Sequence, residues 1–199
     1  MLTLFHSPNS RSTAIMSLIE EMNIADKLTI RRVKIRRRDG SGGRDPANPH
    51  PEGKVPVLVH EGQLITERAA IMLHLTTLFP ASGLAPKIGT PEWGRFVSWL
   101  TWYQGVLEPV LIFQAMEITH PALTAAFRGH SEALGRLRVA LDKGPWLMGD
   151  TFTAADILVH SPYAWFPDIT PDDPAIRDWI ERCKSRPACL RAIAADVST

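Results

Sequence analysis

The sequence predicts two domains, an α/β domain with the element order βαβ-ββα over residues 1–81 and an all-α helical-bundle domain over residues 87–199. Strand and helix patterns alternate through the first region, whereas no convincing strand pattern follows it. The segment Pro80-Ala81-Ser82-Gly83-Leu84-Ala85-Pro86 is rich in proline and glycine and predicts a linker over residues 82–86.

The first three elements form a predicted βαβ unit. Leu2 to Phe5 is a short apolar run typical of a buried strand, and Leu28 to Ile35 is a second strand candidate. Between them, apolar residues recur at the i, i+3, i+4, i+7 spacing of an amphipathic helix: Ile15, Leu18, Ile19 and Met22. Residues 39–51 are rich in Gly, Asp and Pro and predict a loop.

The next three elements complete the domain as ββα. Residues 55–59 and 63–65 read as two strands joined at Glu61-Gly62, which predicts a hairpin. Thr66 then stands where an N-cap is expected, before a helix over residues 69–78 that ends at Phe79-Pro80.

Helical patterns fill the rest of the chain. One long helix is predicted by the apolar residues Trp93, Phe96, Val97, Leu100, Val106 and Leu107, and another by Leu134, Leu137 and Leu141. A third begins at Thr153 as N-cap, with Asp156 at the third helical position completing a capping box and Phe152 facing Ile157 as a hydrophobic staple.

Composition excludes several classes of function. The chain of 199 residues is 45% hydrophobic and 22% charged with a formal net charge of +1, so no overall field favours nucleic acid or a membrane surface. Without a long apolar run or a signal peptide, we expect a cytoplasmic protein that binds neither. The spacing of Cys183 and Cys189 fits buried packing better than a metal or redox pair. The histidines are scattered along the chain, so we predict no metal site.

Pro56 interrupts the apolar run Val55 to Leu58, where a strand would lose a hydrogen-bond donor. Such a proline belongs at an edge, a bulge or a turn, where the cis form costs little. A turn of this kind leaves the main-chain amide and carbonyl of Val55 unpaired beside a sheet, where they can capture an extended peptide as an added strand. The predicted ligand is therefore small and peptide-like.

Two motifs carry a resemblance to a known family: Gly53-Lys54-Val55-Pro56-Val57-Leu58 and Gly149-Asp150-Thr151-Phe152-Thr153-Ala154-Ala155-Asp156. With this domain order, the chain resembles the cytosolic glutathione transferases of bacterial type along essentially its whole length. The resemblance implies a thioredoxin-like N-terminal domain with a cis-proline turn, a helical-bundle C-terminal domain, glutathione as co-substrate without a metal, a small hydrophobic electrophile and a homodimer.

The resemblance implies that glutathione is bound by Lys54, Val55 and Pro56, with the Val55 main chain pairing with its cysteinyl part. The family's acid and serine that hold the γ-glutamyl end correspond here to Glu67 and Arg68. Glu67 can meet the ligand's ammonium, and the Arg68 amide can donate to a carboxylate at a helix N-terminus. The Arg68 side chain could bind that carboxylate, point to solvent or crowd the pocket. Lys54 and the basic run from residue 31 to 38 could attract the glycyl carboxylate, although the composition of the run favours a solvated strand edge and loop.

The segment Ser7-Pro8-Asn9-Ser10-Arg11-Ser12 joins the first strand to the first helix, where small polar residues usually cap the helix. By resemblance, it also holds the residue that hydrogen-bonds the glutathione sulfur. Registering the helix by Glu20-Glu21 makes Ser10 the first candidate and Asn9 an alternative. Ser7 remains open because Ser7-Pro8-Asn9 resembles the disulfide-reducing bacterial type. The absence of a cysteine and of a tyrosine here excludes the cysteine-type and tyrosine-type mechanisms.

Trp102 and Tyr103 are predicted to line the electrophile pocket, with Trp99 and Leu107 as neighbours on the same helix. The leading prediction is a glutathione transferase that conjugates the glutathione thiolate to a hydrophobic electrophile. A glutathione-dependent disulfide reductase or peroxidase is the enzymatic alternative. A non-catalytic binding module of the same fold is the third, because Arg68 departs from the family pattern.

Overall fold

The computed structural model describes residues 1–197, which form two compact units. The first unit contains residues 1–82 together with the C-terminal residues from 186 on, and the second contains residues 83–185. The last helix therefore belongs to the first unit, whereas the sequence placed it in a domain over residues 87–199.

The first unit is built on a four-stranded sheet with the order β2-β1-β3-β4. The strands are β1 (Leu2–His6), β2 (Thr29–Arg32), β3 (Val57–His60) and β4 (Gln63–Ile65). β1 is parallel to β2 and antiparallel to β3, and β3 and β4 form the expected hairpin. The predicted βαβ-ββα order is confirmed. β3 starts after Pro56, which has no amide hydrogen to give to a ladder.

Three helices complete this unit, α1 (Thr13–Met22), α2 (Arg68–Leu78) and the C-terminal α9 (Pro187–Val197). Two ion pairs join α9 and the residue before it to α1. Arg186 binds Glu21 through two bonds of 2.6 and 2.7 Å, and Arg191 binds Glu20 at 2.7 Å. The prediction of Thr66 as the N-cap of α2 is wrong, because Glu67 occupies that position without a capping bond from its side chain.

The second unit is helical, as predicted. It contains α3 (Pro91–Trp102), α4 (Glu108–Ala115), α5 (Pro121–Phe127), α6 (His130–Leu141), α7 (Ala154–Trp165) and α8 (Pro174–Lys184). The long helix predicted through Leu107 is interrupted by a π-type turn over Tyr103–Leu107, closed by a bond from the Glu108 amide to the Tyr103 carbonyl. Pro109 follows this turn and has no amide hydrogen for the regular helical bond.

The capping box that opens α7 is confirmed, with Thr153 as N-cap and Asp156 as its partner. The buried Asp156 carboxylate also accepts bonds from the Leu147 amide at 2.9 Å and the Trp179 indole at 3.0 Å. Burial raises the pKa of Asp156, against the opposite effect of these bonds. The Phe152 ring packs edge-on against Trp146 with centroids 4.8 Å apart, and its staple contact with Ile157 stays a prediction.

Within residues 1–197, no helix combines the length and the apolar character needed to cross a membrane. The same residues contain no group of three or more His, Cys, Asp or Glu side chains placed to hold a metal ion. Cys183 and Cys189 are both buried, in keeping with packing residues.

Candidate functional site

The candidate segments leave the N-terminal sheet at one end. Phe5 lies opposite Val57 in the antiparallel β1–β3 pair, so the segment after β1 and the segment before β3 emerge together. Ile65 lies opposite Leu58, which brings the segment after β4 to the same end. The loop after parallel β2 also leaves there, because Arg32 is paired with His6.

Val55 combines an anchored side chain with an unpaired main chain. Its peptide bond to Pro56 is cis, as predicted. The side chain is buried in a cluster with Phe5, Val33 and Val57. The Val55 amide and carbonyl form no hydrogen bond with another residue in the described part of the chain. This is the arrangement that an added peptide strand requires.

A polar turn before Val55 fixes the approach to it. The buried Asn48 side chain donates to the Lys54 carbonyl at 3.0 Å and accepts from the His50 amide at 3.0 Å. His50 Nδ1 in turn accepts from the Glu52 amide at 3.0 Å. These supports were not predicted, although Asn48-Pro49 is a turn signal in the sequence. The Lys54 side chain is exposed and paired with Glu52, so a ligand carboxylate must compete with Glu52 for its ammonium.

Glu67 and Arg68 sit at the start of α2 in different environments. Glu67 is exposed and has a φ of 67°, a region that costs a non-glycine residue energy and often marks functional sites. Arg68 is only 5% exposed, so the alternative in which its side chain points to solvent is wrong. The two alternatives that place the guanidinium in or beside the pocket remain.

The structure gathers Ser7, Asn9 and Ser10 in one tight loop. The half-buried Ser10 hydroxyl donates to the Ser7 carbonyl at 2.6 Å and lies 2.7 Å from the Ser12 hydroxyl. Asn9 is exposed with a φ of 52°, and its amide donates to Asp196 at 2.8 Å. Ser12 occupies the N-cap position of α1 but makes no capping bond with its side chain. The expected cap by a side chain of this segment is therefore not found at Ser12.

His6 and Asp196 were not predicted at this site, and Ser12 was predicted only as a member of the segment that caps α1. His6 Nδ1 lies 2.7 Å from the Ser12 hydroxyl, and its Nε2 lies 3.0 Å from Asp196. Thr13 also donates to Asp196, at 2.5 Å. Burial opposes ionisation of Asp196, but the bonds from His6, Thr13 and Asn9 outweigh it and hold the pKa below its ordinary value. No local signal could connect Asp196 with a loop at the other end of the chain.

Arg37 was not expected at the site, because the basic run was interpreted as solvated. Its guanidinium donates to the carbonyls of Asn9 and Pro8, both at 2.8 Å, and to the Ser7 hydroxyl at 3.1 Å. That interpretation is wrong for Arg37, which is half-buried and clamps the loop after β1. It holds for the exposed members of the run Arg31, Arg32, Lys34, Arg36 and Arg38.

The predicted electrophile residues lie in the second unit. Trp102 is half-buried, edge-on to Trp99 at 5.3 Å, and its ring lies 4.5 Å from the Arg136 guanidinium. Tyr103 is 1% exposed and belongs to the core of that unit. This placement argues against a contact between Tyr103 and substrate and leaves Trp102 as the candidate.

Comparisons with known proteins agree with this architecture. Residues 1–77 match the family model described as the glutathione S-transferase N-terminal domain, and residues 70–187 match that for the C-terminal domain. The disulfide-bond oxidoreductase YfcG of Escherichia coli K12 is 27% identical over 215 residues, covering 97% of this chain and 94% of the relative.

Two solved structures are similar over nearly the whole chain. A glutathione transferase from Methylococcus capsulatus is 27% identical with a TM-score of 0.78, and each chain is covered completely. A sphingomonad glutathione S-transferase in complex with glutathione is 26% identical with a TM-score of 0.78, covering 99% of this chain and 100% of the other.

Proposed function

The chain belongs to the glutathione S-transferase family, and from this premise we propose that it binds glutathione at the shared end of its N-terminal sheet. The bound tripeptide is held as a thiolate and conjugated to a hydrophobic electrophile. The supporting observation is the Val55 main chain, unpaired among the described residues beside the sheet while its side chain is fixed in the core. Glutathione is a short peptide whose cysteinyl part can pair with such a backbone.

The ends of glutathione find complementary groups on either side of Val55. The exposed Glu67 carboxylate suits the γ-glutamyl ammonium, and the Arg68 amide at the start of α2 suits the carboxylate beside it. The buried Arg68 guanidinium adds positive charge at that position. Lys54 serves the glycyl carboxylate once its pair with Glu52 opens.

The loop after β1 supplies the groups for the thiol. A free thiol has a pKa of about 8.5, and lowering it by about two units takes about 2.7 kcal/mol. A hydroxyl bond at the N-terminus of α1 supplies a large part of this. Ser7, Asn9 and Ser10 all lie in this loop, so all three stay candidates for the thiol contact. Ser10 remains the first candidate, with Asn9 and Ser7 as alternatives.

Disulfide reduction is the second candidate function. It is favoured by the similarity to the oxidoreductase YfcG, which extends over 97% of this chain. The two reactions share the bound thiolate and differ in product, since conjugation yields a thioether and reduction yields oxidised glutathione.

The test is to measure both products with purified protein, using a general aryl halide and a small disulfide as substrates. We expect binding to immobilised glutathione and thioether formation with the aryl halide. Ser10→Ala, Asn9→Gly and Ser7→Ala then show which residue serves the thiol, with Ser41→Ala on an exposed loop as the control. No binding and no turnover with either substrate would reject the proposal. Oxidised glutathione as the only product would select the second function.

A homodimer is part of the same proposal. Light scattering during size exclusion is expected to give a mass of twice 22.1 kDa. The mass of a monomer would reject the homodimer and leave the proposal of glutathione binding unaffected.

A further inference from the structure

The Arg37 side chain is directed at the loop after β1. Its guanidinium donates to the carbonyls of Pro8 and Asn9, both at 2.8 Å, and to the Ser7 hydroxyl oxygen at 3.1 Å. Among the described residues, no carboxylate forms an ion pair with this guanidinium. The positive charge of Arg37 therefore lies beside the loop without a carboxylate in contact to neutralise it.

The backbone of Arg37 is fixed by the turn that follows β2. The Arg37 amide donates to the Ser41 carbonyl at 2.8 Å, and the Gly40 amide donates to the Arg37 carbonyl at 3.1 Å. Gly42 has a φ of 75°, and a Cβ atom there would clash with the Ile35 carbonyl oxygen. Because glycine is required at this position, the turn holds Arg37 in one place beside the loop.

Asn9 is held from two sides. Its φ of 52° is unusual for a residue other than glycine. The Asn9 amide donates to Asp196 at 2.8 Å, and the Asn9 carbonyl accepts from Arg37 at 2.8 Å. Arg37 thus helps to keep the loop in its observed conformation.

The Ser10 hydroxyl hydrogen is used inside the loop. Its contact with the Ser7 carbonyl at 2.6 Å takes this hydrogen, because a carbonyl oxygen has none to give. The Ser12 hydroxyl approaches the same carbonyl at 3.2 Å and Ser10 at 2.7 Å. Since a carbonyl oxygen can accept two hydrogen bonds, the Ser10 hydrogen stays in the loop whichever way Ser12 donates.

The Ser7 hydroxyl hydrogen is not used in this way. A guanidinium has only donors, so the Ser7 oxygen accepts from Arg37 and keeps its own hydrogen. No described residue accepts that hydrogen, and Ser7 is only 2% exposed, so little water competes for it. The register of α1 makes Ser10 the first candidate for the thiol, whereas the hydrogen bonds favour Ser7.

The bond from Arg37 also changes what the Ser7 hydroxyl can do. Accepting a hydrogen bond from a cation polarises the hydroxyl and makes it a better donor. A thiolate that accepts the Ser7 hydrogen also comes near the Arg37 charge, and an opposite charge within about 4–6 Å favours the ionised form.

We propose that Arg37 is a positioning residue for the glutathione thiolate, because it holds the Ser7 hydroxyl with its hydrogen free to donate and places a positive charge beside it. This inference rests on the proposed function. It assigns the role to a residue on the segment after β2, outside the loop that holds the thiol.

Arg37→Gln tests the inference, because it removes the charge and keeps a side chain that can donate hydrogen bonds. Calorimetry first establishes glutathione binding, and the ultraviolet absorbance of the thiolate is then titrated with pH in the complex. We expect the thiol pKa to rise by about one unit, which is a tenfold loss of thiolate at a pH below it. Arg37→Lys keeps the charge and should recover part of the shift. Arg38→Gln is the matched control, since it removes one exposed charge from the same run and should leave the thiol pKa unchanged.

A mutant cycle with Ser7→Ala separates this role from a merely structural one. Because Arg37 acts through the Ser7 hydroxyl, Arg37→Gln should shift the thiol pKa less in the Ser7→Ala background than in the wild type. Equal shifts in the two backgrounds overturn the inference. An unchanged thiol pKa in Arg37→Gln also overturns it, while glutathione binding by the same protein upholds the proposed function.

The single serine variants decide the matter even if Arg37→Gln fails to fold. We expect Ser7→Ala to raise the thiol pKa more than Ser10→Ala does. A rise in Ser10→Ala without one in Ser7→Ala overturns the inference. Failure of the wild type to bind glutathione rejects the proposed function, and the role of Arg37 with it.

Discussion

Val55 and Arg68 are both buried, and both belong to the proposed glutathione site. Val55 fixes its side chain among Phe5, Val33 and Val57, and this holds the unpaired main chain in position. Arg68 brings a guanidinium into a buried place at the start of α2. A buried guanidinium is stable only when its donors are satisfied, so Arg68 is part of the local structure as well as of the proposed site.

Replacing Arg68 should therefore affect both stability and binding. We expect Arg68→Ser to lower the free energy of unfolding by about 2 kcal/mol, because the contacts of a large buried side chain are lost. Glutathione binding should weaken in calorimetry. The exposed Arg38→Ser is the control and should stay within about 0.5 kcal/mol of wild type in urea unfolding. Equal unfolding midpoints for the two variants, or tighter glutathione binding by Arg68→Ser, would contradict this role.

His160 predicts a pH dependence of stability. Burial lowers its pKa from 6.5 to about 4, against the smaller effect of its bond to the Asp156 carbonyl. Between these values the unfolded chain binds the proton and the folded chain does not, so stability is lost as the pH falls. The full window corresponds to a loss on the order of 3 kcal/mol.

Urea unfolding at pH 7 and pH 5 measures this effect. His160→Gln should lose less stability than wild type between the two values, since glutamine does not titrate. The same loss in both proteins would show that other groups cause the acid sensitivity.

At the scale of elements, local signals were predictable and distant ones were not. The β3–β4 hairpin and the Thr153 capping box are set by neighbouring residues, and both are confirmed. The cap of α2 was misassigned to Thr66 because the unusual backbone of Glu67 leaves no composition signal. Asp196 and Arg37 reach the loop after β1 only through tertiary packing, so sequence periodicity could not reveal them.

The capping box should stabilise the second unit through Asp156 more than through Thr153. Thr153→Ala loses a cap and should cost about 1 kcal/mol. Asp156→Ala should cost about 3 kcal/mol, because the Leu147 amide and the Trp179 indole also lose their buried acceptor. Denaturant unfolding measures both, with the exposed Asp150→Asn as the control. Equal costs for the two alanine variants would contradict this ranking.

At the scale of the whole molecule, the chain returns from the helical unit to complete the N-terminal one. The sequence predicts an all-helical region beyond the linker, but it does not reveal that α9 packs with the N-terminal unit. The ion pairs of Arg186 with Glu21 and of Arg191 with Glu20 tie this end of the chain to α1, and Asp196 contacts the loop after β1. The proposed site therefore depends on residues from both ends of the chain.

A chain that ends at Ser185 should lose glutathione binding. Without α9, the apolar surface of α1 is exposed and the contacts of Asp196 are gone, so we expect the N-terminal unit to unfold. Arg191→Gln is the milder control and should keep binding, because it removes one exposed ion pair. Calorimetry with circular dichroism measures both variants. Unchanged glutathione affinity in the shortened chain would show that α9 is dispensable.

Amide NMR during a glutathione titration tests the central claim most directly, because the claim concerns the Val55 backbone. We predict saturable shifts of the Val55 and Arg68 amides together with those of residues 7–12. The Val55 amide should also exchange more slowly with solvent in the complex, since it gains a hydrogen bond. A Val55 amide that neither shifts nor gains protection at saturating glutathione would contradict the account.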